Sequence, residues 1–377
     1  MWNKKIPYYS QQIKQIIKMT NNYTALGVKD LLFREELICN TRSFFQQAHF
    51  HEILSPVLVA SVPNEPNIYP FETRWCKDQT SSSDISESTN HLKLFLSTSP
   101  ESFLKKVLSG GRLRKVFSIA HSFRNLENSG ELHTPEFLML EWYSVDSNLD
   151  DLKKQVSDLI RFLFIEILKT TETNYQGHKI SIEPTSISLN NLFREKFNRD
   201  LLSLSHISEI TQLANQLGFS TTNSNWEQIF NQIFLNHIEP DLPKNLVFLT
   251  DFPAKISPLC KTQADSDHLA ERFEVYLAGI EIGNGNTDAT DWQRIQDTFN
   301  NDLLEKKRNS FTQQLDQDFI RTLKSLDQQK IQTAGIGVGL DRLQMIMQNR
   351  TEIMNFLDNF PCNEIGTKPF AVDGVRA

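Results

Sequence analysis

Apolar positions recur at helical spacing over 8–20 and again over 28–48, the second run carrying Leu31, Leu32, Leu37, Ile38, Phe44 and Phe45. His51–Val59 reads as a strand broken at Ser55-Pro56. A polar, serine-rich stretch follows Trp75, and its composition predicts a mobile loop at about 77–91. Leu92–Leu96 is a short strand. Pro100 opens a helix to about Ser109, because proline suits the first helical position. Arg114–Arg124 and Glu136–Tyr143 alternate as strands, and 149–169 is a long amphipathic helix. From about 184 to 240 the pattern breaks into short helices, which reads as an insertion packed on a sheet. Strand signals return at Leu246–Asp251, Glu271–Ala278 and Gly335–Gly339, with helices at 290–327 and 340–348. Strands cluster towards both ends with helices between and around them. That order predicts an α+β class, a mixed and largely antiparallel sheet flanked by helices.

Bulk properties narrow the function. The chain has 377 residues, 39% of them apolar, enough for a substantial core. Its 39 Lys+Arg against 46 Asp+Glu give a net charge of −7, which argues against a broad non-specific nucleic-acid surface. Cys39, Cys76, Cys260 and Cys362 stand far apart with no CxxC, so neither a zinc site nor a disulfide frame is expected and a reducing cytoplasm is the simplest setting. No run approaches the ~18 apolar residues of a membrane span.

Three constellations could carry chemistry. GIGVGLDR (335–342) places glycines at alternate positions, leaving one strand face bare for a flat ligand or another backbone, with Arg342 fixed at its end. A packed core strand with a salt-bridged arginine fits the same letters. ERFEVYLAGIEIGNGNTDATD (271–291) puts Glu274 and Glu281 on strands either side of a turn at Ala278-Gly279. Such a pair suits Mg²⁺ shared with nucleotide phosphates, or two solvated glutamates. In the same stretch Asn284-Gly285 could be a hairpin turn, and Asp288 and Asp291 could cap the next helix. FRNLENSGELHTPEFLMLEWY (123–143), with SPES (99–102), offers Arg124 and His133 to a phosphate, Phe137 to a base, and Glu101 and Glu141 to amines. A partly exposed hairpin with ion pairs is the plainer account.

STSPE, FRN…HTPEF…LEWY, RFEVY…GIEIGNG and GVGLDRL occur in one order, and together they resemble the class II aminoacyl-tRNA synthetases of the lysine subclass from about 30 to 357. Within that group, NIYPFETRW (67–75) and PEFLMLEWY are similar to the elongation factor P β-lysine ligases. The resemblance implies a class II catalytic fold over 28–377 after an N-terminal extension at 1–27. Only about 30 residues precede the core, too few for a small OB barrel, so none is expected. It implies ATP and Mg²⁺ as cofactors and a diamino acid as substrate. Elongation factor P becomes the expected protein acceptor, and tRNA is not expected to bind. A homodimer through the first motif around Pro56 also follows. Arg124 and Arg342 become the catalytic cations, and Asn125, Leu126, Glu127, His133, Thr134, Phe137, Glu274, Val275 and Gly339 join them around ATP. Glu274 and Glu281 become the metal carboxylates. Ser99, Pro100, Glu101, Glu141, Tyr143, Glu281, Asn284 and Asp288 surround the amino acid.

Three departures shape the expectation. Leu126 stands where the family has a glutamate. A one-residue bulge would return Glu127 to the working face, since residues two apart on a strand share a face. Asp288 replaces an expected glutamate and is one methylene shorter. Gly283 and Gly337 stand where β-lysine ligases tend to have alanine, which leaves ordinary lysine or another diamino acid open. A tRNA-acylating enzyme lacking the anticodon domain and a non-catalytic paralogue are the alternatives.

Overall fold

A computed structural model describes residues 27–65, 67–76, 91–126, 131–308 and 314–353, the side chains at 305, 307 and 308 excepted. The helix expected at 8–20, Glu127 and the loop expected at about 77–91, except its last residue His91, lie outside the described residues. The chain resolves into Glu36–Ile353, which holds the sheet, and a smaller unit of Met1–Glu35 and Met354–Ala377. Of the smaller unit only 27–35 is described.

Eight strands form the main sheet: His51–Glu52 (β1), Lys115–Phe123 (β2), Glu136–Val145 (β3), Thr185–Ser188 (β4), Val247–Thr250 (β5), Arg272–Leu277 (β6), Ile280–Thr287 (β7) and Thr333–Gly339 (β8). Their order is β1-β2-β3-β8-β7-β6-β5-β4. The edge pairs β1-β2 and β5-β4 are parallel and the five inner pairs antiparallel, a mixed and largely antiparallel sheet as the order of elements predicts. The single strand expected over 51–59 is two. Pro56 has no amide to donate, and Leu58–Val59 joins a separate three-stranded sheet with Glu72–Cys76 and His91–Leu96. Asn284-Gly285 is not a turn. It lies inside β7, and Ala278-Gly279, with φ of 58° and 77°, makes the hairpin instead.

Register assigns the faces. Phe117 pairs with Trp142 on the back. There Phe45 of α1 (Val28–Gln47) stacks on Phe117 at 4.7 Å, and Trp142 donates to Gln155 of the helix Leu149–Leu163 at 2.7 Å. On the front, α2 (Glu101–Ser109) buries Leu104 and Leu108 against Val116 and Tyr143. At the opposite end of the front, the helices of 189–238 form a core of their own against Val247, Leu249 and Tyr276. The stretch expected to be an insertion, about 184–240, is thus mostly short helices with a core of their own, although Thr185–Ser188 is an edge strand. A cleft lies between these two packed ends. Its floor is β8, where Gly335, Gly337 and Gly339 share the face of Tyr143, Glu141 and Met139.

Candidate functional site

The cleft encloses ≈ 590 Å³ and is lined by residues of all three sequence constellations. Ser99, Glu101, Arg124, His133, Thr134, Phe137, Glu141, Tyr143, Glu274, Glu281, Asn284, Gly339 and Arg342 all line it. The bare glycine strand is what admits them. At Gly335 a Cβ would lie 2.1 Å from the Tyr143 ring, so only glycine lets that ring lie flat on the strand.

At one end sit acids. Glu141 is buried and accepts from the Tyr143 hydroxyl at 2.7 Å. Burial, and then the charge of Glu101, push its carboxyl up to about 8 against the pull of Tyr143 and Lys105. Glu101 stands at the start of α2, where its amide faces the Ser99 hydroxyl at 3.3 Å. Its carboxylate takes Lys105 Nζ at 2.5 Å, and the same ammonium reaches Asp288 at 2.8 Å. Lys105 is 1% exposed and lies over the Tyr143 and Phe319 rings at 5.2 and 5.7 Å. Burial works against its charge, but Asp288 and Glu101 together hold the ammonium well above the usual lysine range.

This overturns the expected place of Asp288. It does not line the cleft, and besides Lys105 it accepts from Asn286 at 3.0 Å and Thr333 at 2.5 Å. The shorter side chain serves an internal cation, leaving no free oxygen directed at a substrate. Nor does it cap a helix, whereas Asp291 does, accepting from the Arg294 amide at 3.0 Å.

At the other end sit cations. Arg342 lies in the first turn of the helix Leu340–Met347 and donates to the Leu132 and Glu281 carbonyls at 3.2 and 2.7 Å and meets the His133 ring at 2.9 Å. Arg124 follows β2 and lies over Phe137, its guanidinium 5.2 Å from the ring centroid. Its Nε is buried with no hydrogen-bond partner among the described residues. Thr134 donates to the Glu136 carbonyl at 2.5 Å. Asp341 accepts from the Leu138 amide at 2.5 Å and so ties β3 to the Arg342 turn.

Between the two ends lie the expected metal carboxylates. Glu274 accepts from Arg272 at 2.7 Å and Tyr276 at 2.9 Å, and Glu281 stands 3.6 Å from Arg342. Burial, and then Glu281, raise Glu274 to about 7 despite Arg272. Glu239, from the insertion, faces the same pair and is raised by burial and then by Glu281. A buried carboxylate held up by a neighbouring carboxylate, as Glu274 is, is short of a cation, and two such side chains suffice for Mg²⁺ when phosphates supply the rest. Among the described residues no group of three or more His, Cys, Asp or Glu is arranged to hold a metal unaided.

Other expected residues fall away from the cleft. Val275 is fully buried on the far face of β6. Pro100 caps α2 behind Ser99. Asn125 pairs its amide with the Tyr69 carbonyl at 2.6 Å, beside the cleft instead of in it. Leu126 is 69% exposed at a φ of 59°. β2 has ended at Phe123, so Leu126 does not continue the Arg124 face as strand geometry predicts. Sequence reasoning missed Lys105, Glu65, Arg272, Tyr276 and Glu239. Only Lys105 carried a signal, the Glu101/Lys105 spacing of four on one helix face. Cys260 also lines the cleft, but burial pushes its thiol up to about 12, which removes it as a nucleophile.

The sequence profile of the tRNA synthetases class II (D, K and N) matches residues 15–364. The chain belongs to that family. Class II membership makes it an ATP-dependent aminoacyl ligase. Among curated relatives, the elongation factor P–(R)-β-lysine ligase of Buchnera aphidicola subsp. Schizaphis graminum is 30% identical over 87% of this chain and 94% of its own. The lysine–tRNA ligase of Buchnera aphidicola subsp. Cinara cedri is 31% identical over 94% of this chain and 66% of its own. That of Thioalkalivibrio sulfidiphilus is 28% identical over 86% and 62%. Among the described residues no helix is long and apolar enough to cross a membrane.

Proposed function

We propose that the enzyme activates lysine, β-lysine or a related diamino acid as an adenylate and transfers it to a lysine side chain of elongation factor P. The observation that carries this reading is one cleft with cation-seeking carboxylates at one end and anion-seeking arginines at the other. The raised Glu141 asks for an ammonium, and the orphaned Nε of Arg124 asks for an anionic oxygen.

The substrate carboxylate attacks the α-phosphate of ATP in line and expels pyrophosphate. No protein nucleophile is required. Glu141 and Tyr143 hold the distal amine, and Glu101 faces the amine nearer the carboxyl. Arg124 and Arg342 donate to the phosphoryl oxygens where charge develops, in geometry set before the reaction begins. Phe137 offers its ring to the adenine once Arg124 turns to the phosphates. Glu274 and Glu281 would hold Mg²⁺, which supplies charge neutralisation between phosphates. The acceptor ε-amine must lose its proton before it attacks, and the departing AMP or a cleft carboxylate takes it.

The net charge of −7 supports a compact acceptor of opposite charge over a polyanion. The comparable identity to lysine–tRNA ligases favours tRNA as the second reading. We further assign a homodimer: Leu54, Val57, Leu58 and Leu92 expose apolar surface around Pro56. A reducing cytoplasm suits the free thiols at Cys39, Cys76 and Cys260. The test is pyrophosphate exchange with a panel of amino acids, followed by separate incubation with elongation factor P and with bulk tRNA. Exchange only with diamino acids, and mass gain on one protein lysine, are the expected results. Acylated tRNA beside unmodified elongation factor P selects the second reading, and silence with every amino acid defeats both.

A further inference from the structure

Lys105 leaves a gap in the amino-acid end of the cleft. It consumes one oxygen of Glu101 and all the charge of Asp288. Tyr143 likewise consumes one oxygen of Glu141. A bound ammonium has three donors to satisfy. Glu141 keeps its second oxygen towards Gly337, at 3.8 Å from where a Cβ would stand, and so serves the distal amine. Near the carboxyl end, Glu101 alone is an incomplete partner.

The missing partner comes from the segment 61–69, which opens SVPNEPN. Glu65 is half-buried and lines the cleft with Glu101 and Arg124. Its backbone is fixed from several sides. Lys306, 3% exposed, donates to the carbonyls of Glu65 and Ile68 at 2.6 and 2.7 Å and lies over the Tyr69 ring. Asn64 is buried and accepts from the Asp316 amide at 3.3 Å. Asn67 donates to Glu227 of the insertion at 2.9 Å. Tyr69 accepts from the Asn125 amide at 2.6 Å. A segment held at so many points aims its side chain with little freedom to lose on binding. Yet no described residue hydrogen-bonds the Glu65 carboxylate.

Resting on the diamino-acid reading above, we infer that Glu65 is a specificity-determining residue that binds the amino group nearer the substrate's carboxyl, completing a two-carboxylate subsite with Glu101. Glu65 is pushed up to about 7, by burial first and then by Glu101, against Arg124, Lys306 and Lys105. That is the condition of a carboxylate still short of a cation. The substrate class follows: a carboxylic acid with one amine for Glu141 and a second, near the carboxyl, for Glu65 and Glu101. An ω-amino acid lacking the second amine leaves Glu65 unpaired and binds without its help.

Glu65→Gln keeps the shape and removes the charge, and Glu65→Asp keeps the charge. Both are tested in the full chain by pyrophosphate exchange with lysine and with 3,6-diaminohexanoate, using 6-aminohexanoate as competitor. For Glu65→Gln, KM for the preferred diamino acid should rise at least tenfold. The kcat and KM for ATP should stay within about twofold, and the 6-aminohexanoate inhibition constant should not move. Glu65→Asp should recover part of the loss. An unchanged diamino-acid KM overturns the inference. So does equal weakening of diamino acid and 6-aminohexanoate, which marks a structural role. A wild-type enzyme that exchanges with no diamino acid fails the functional reading itself and takes the inference with it, an outcome visible before any variant is made.

Discussion

Replacing Lys105 by methionine tests the electrostatic frame of the site. Methionine keeps the length and apolar stem but removes the ammonium. Glu101 and Asp288 then lose the cation that sits 2.5 and 2.8 Å from them. Asp288 keeps its bonds from Asn286 and Thr333, so its desolvation is partly met. Breaking a buried pair by removing one partner costs about 3–5 kcal/mol, because the remaining charge is uncompensated. Against a total stability of about 5–15 kcal/mol, that is a large share. The pH dependence gives the signature. In Lys105→Met the Asp288 carboxyl, already raised by burial, loses the ammonium that pulled it down, so the folded state binds more protons than the unfolded one. The deficit is therefore greatest at alkaline pH and shrinks as pH falls through the raised value. Urea midpoints at pH 5.5 and 8 measure this, and Lys105→Met/Asp288→Asn should recover part of the loss at pH 8. A Lys105→Met loss below about 1 kcal/mol at both pH values would refute the reasoning, because exposed pairs are worth no more than that.

Arg124→Ala and Arg342→Ala should each slow pyrophosphate exchange by about 2–4 kcal/mol of barrier, the range for a lost charge-stabilising donor; rates within threefold of wild type count against both assignments. Gly337→Ala should fold normally, since its Cβ meets only Met139 and Glu141 at 3.5 Å or more, but should shift KM between lysine and 3,6-diaminohexanoate. Gly335→Ala should instead destabilise the fold by about 1–3 kcal/mol or more, its Cβ falling 2.1 Å from the Tyr143 ring; a thermal melt separates the two. Diamino-acid affinity should rise from pH 6 to about 8, because Glu141 must give up its proton to receive an ammonium while Glu101, Tyr143, Lys105 and Glu65 face it. Calorimetry in buffers of different ionisation enthalpy should show net proton release at pH 7, and its absence contradicts the raised carboxyl.

What the sequence disclosed and what it hid divide along a physical line. Alternation on β8 and the order of the strand blocks were legible because each is a local pattern with one consequence for side-chain direction. The shared cleft of Arg124, Phe137, Glu141 and Arg342 was legible for the same reason, since each sits on, or directly follows, a regular element. Leu126 was misjudged because β2 stops at Phe123, and nothing in the letters marks where a ladder loses its last partner. Asp288 was misjudged because its partner arrives from a helix far earlier in the chain. A carboxylate beside a cleft reads as a ligand-binding group until the fold shows which cation already owns it.

The same logic explains why Lys105 and Glu65 escaped together. One is a basic residue on an amphipathic helix and the other an acid in a polar loop, both ordinary on a solvated surface. Their meaning comes from charge balance in a buried volume. Around the amino-acid end stand Glu65, Glu101, Glu141 and Asp288, with Lys105 as the one buried ammonium bridging two of them. The imbalance appears as Glu65 raised to about 7 and Glu141 to about 8. An enzyme for a monoamine would have no reason to keep two such carboxyls uncompensated. A substrate with two ammonium groups relieves both at once, and Lys105, by saturating Asp288 and half of Glu101, makes the remaining demand two cations and not three.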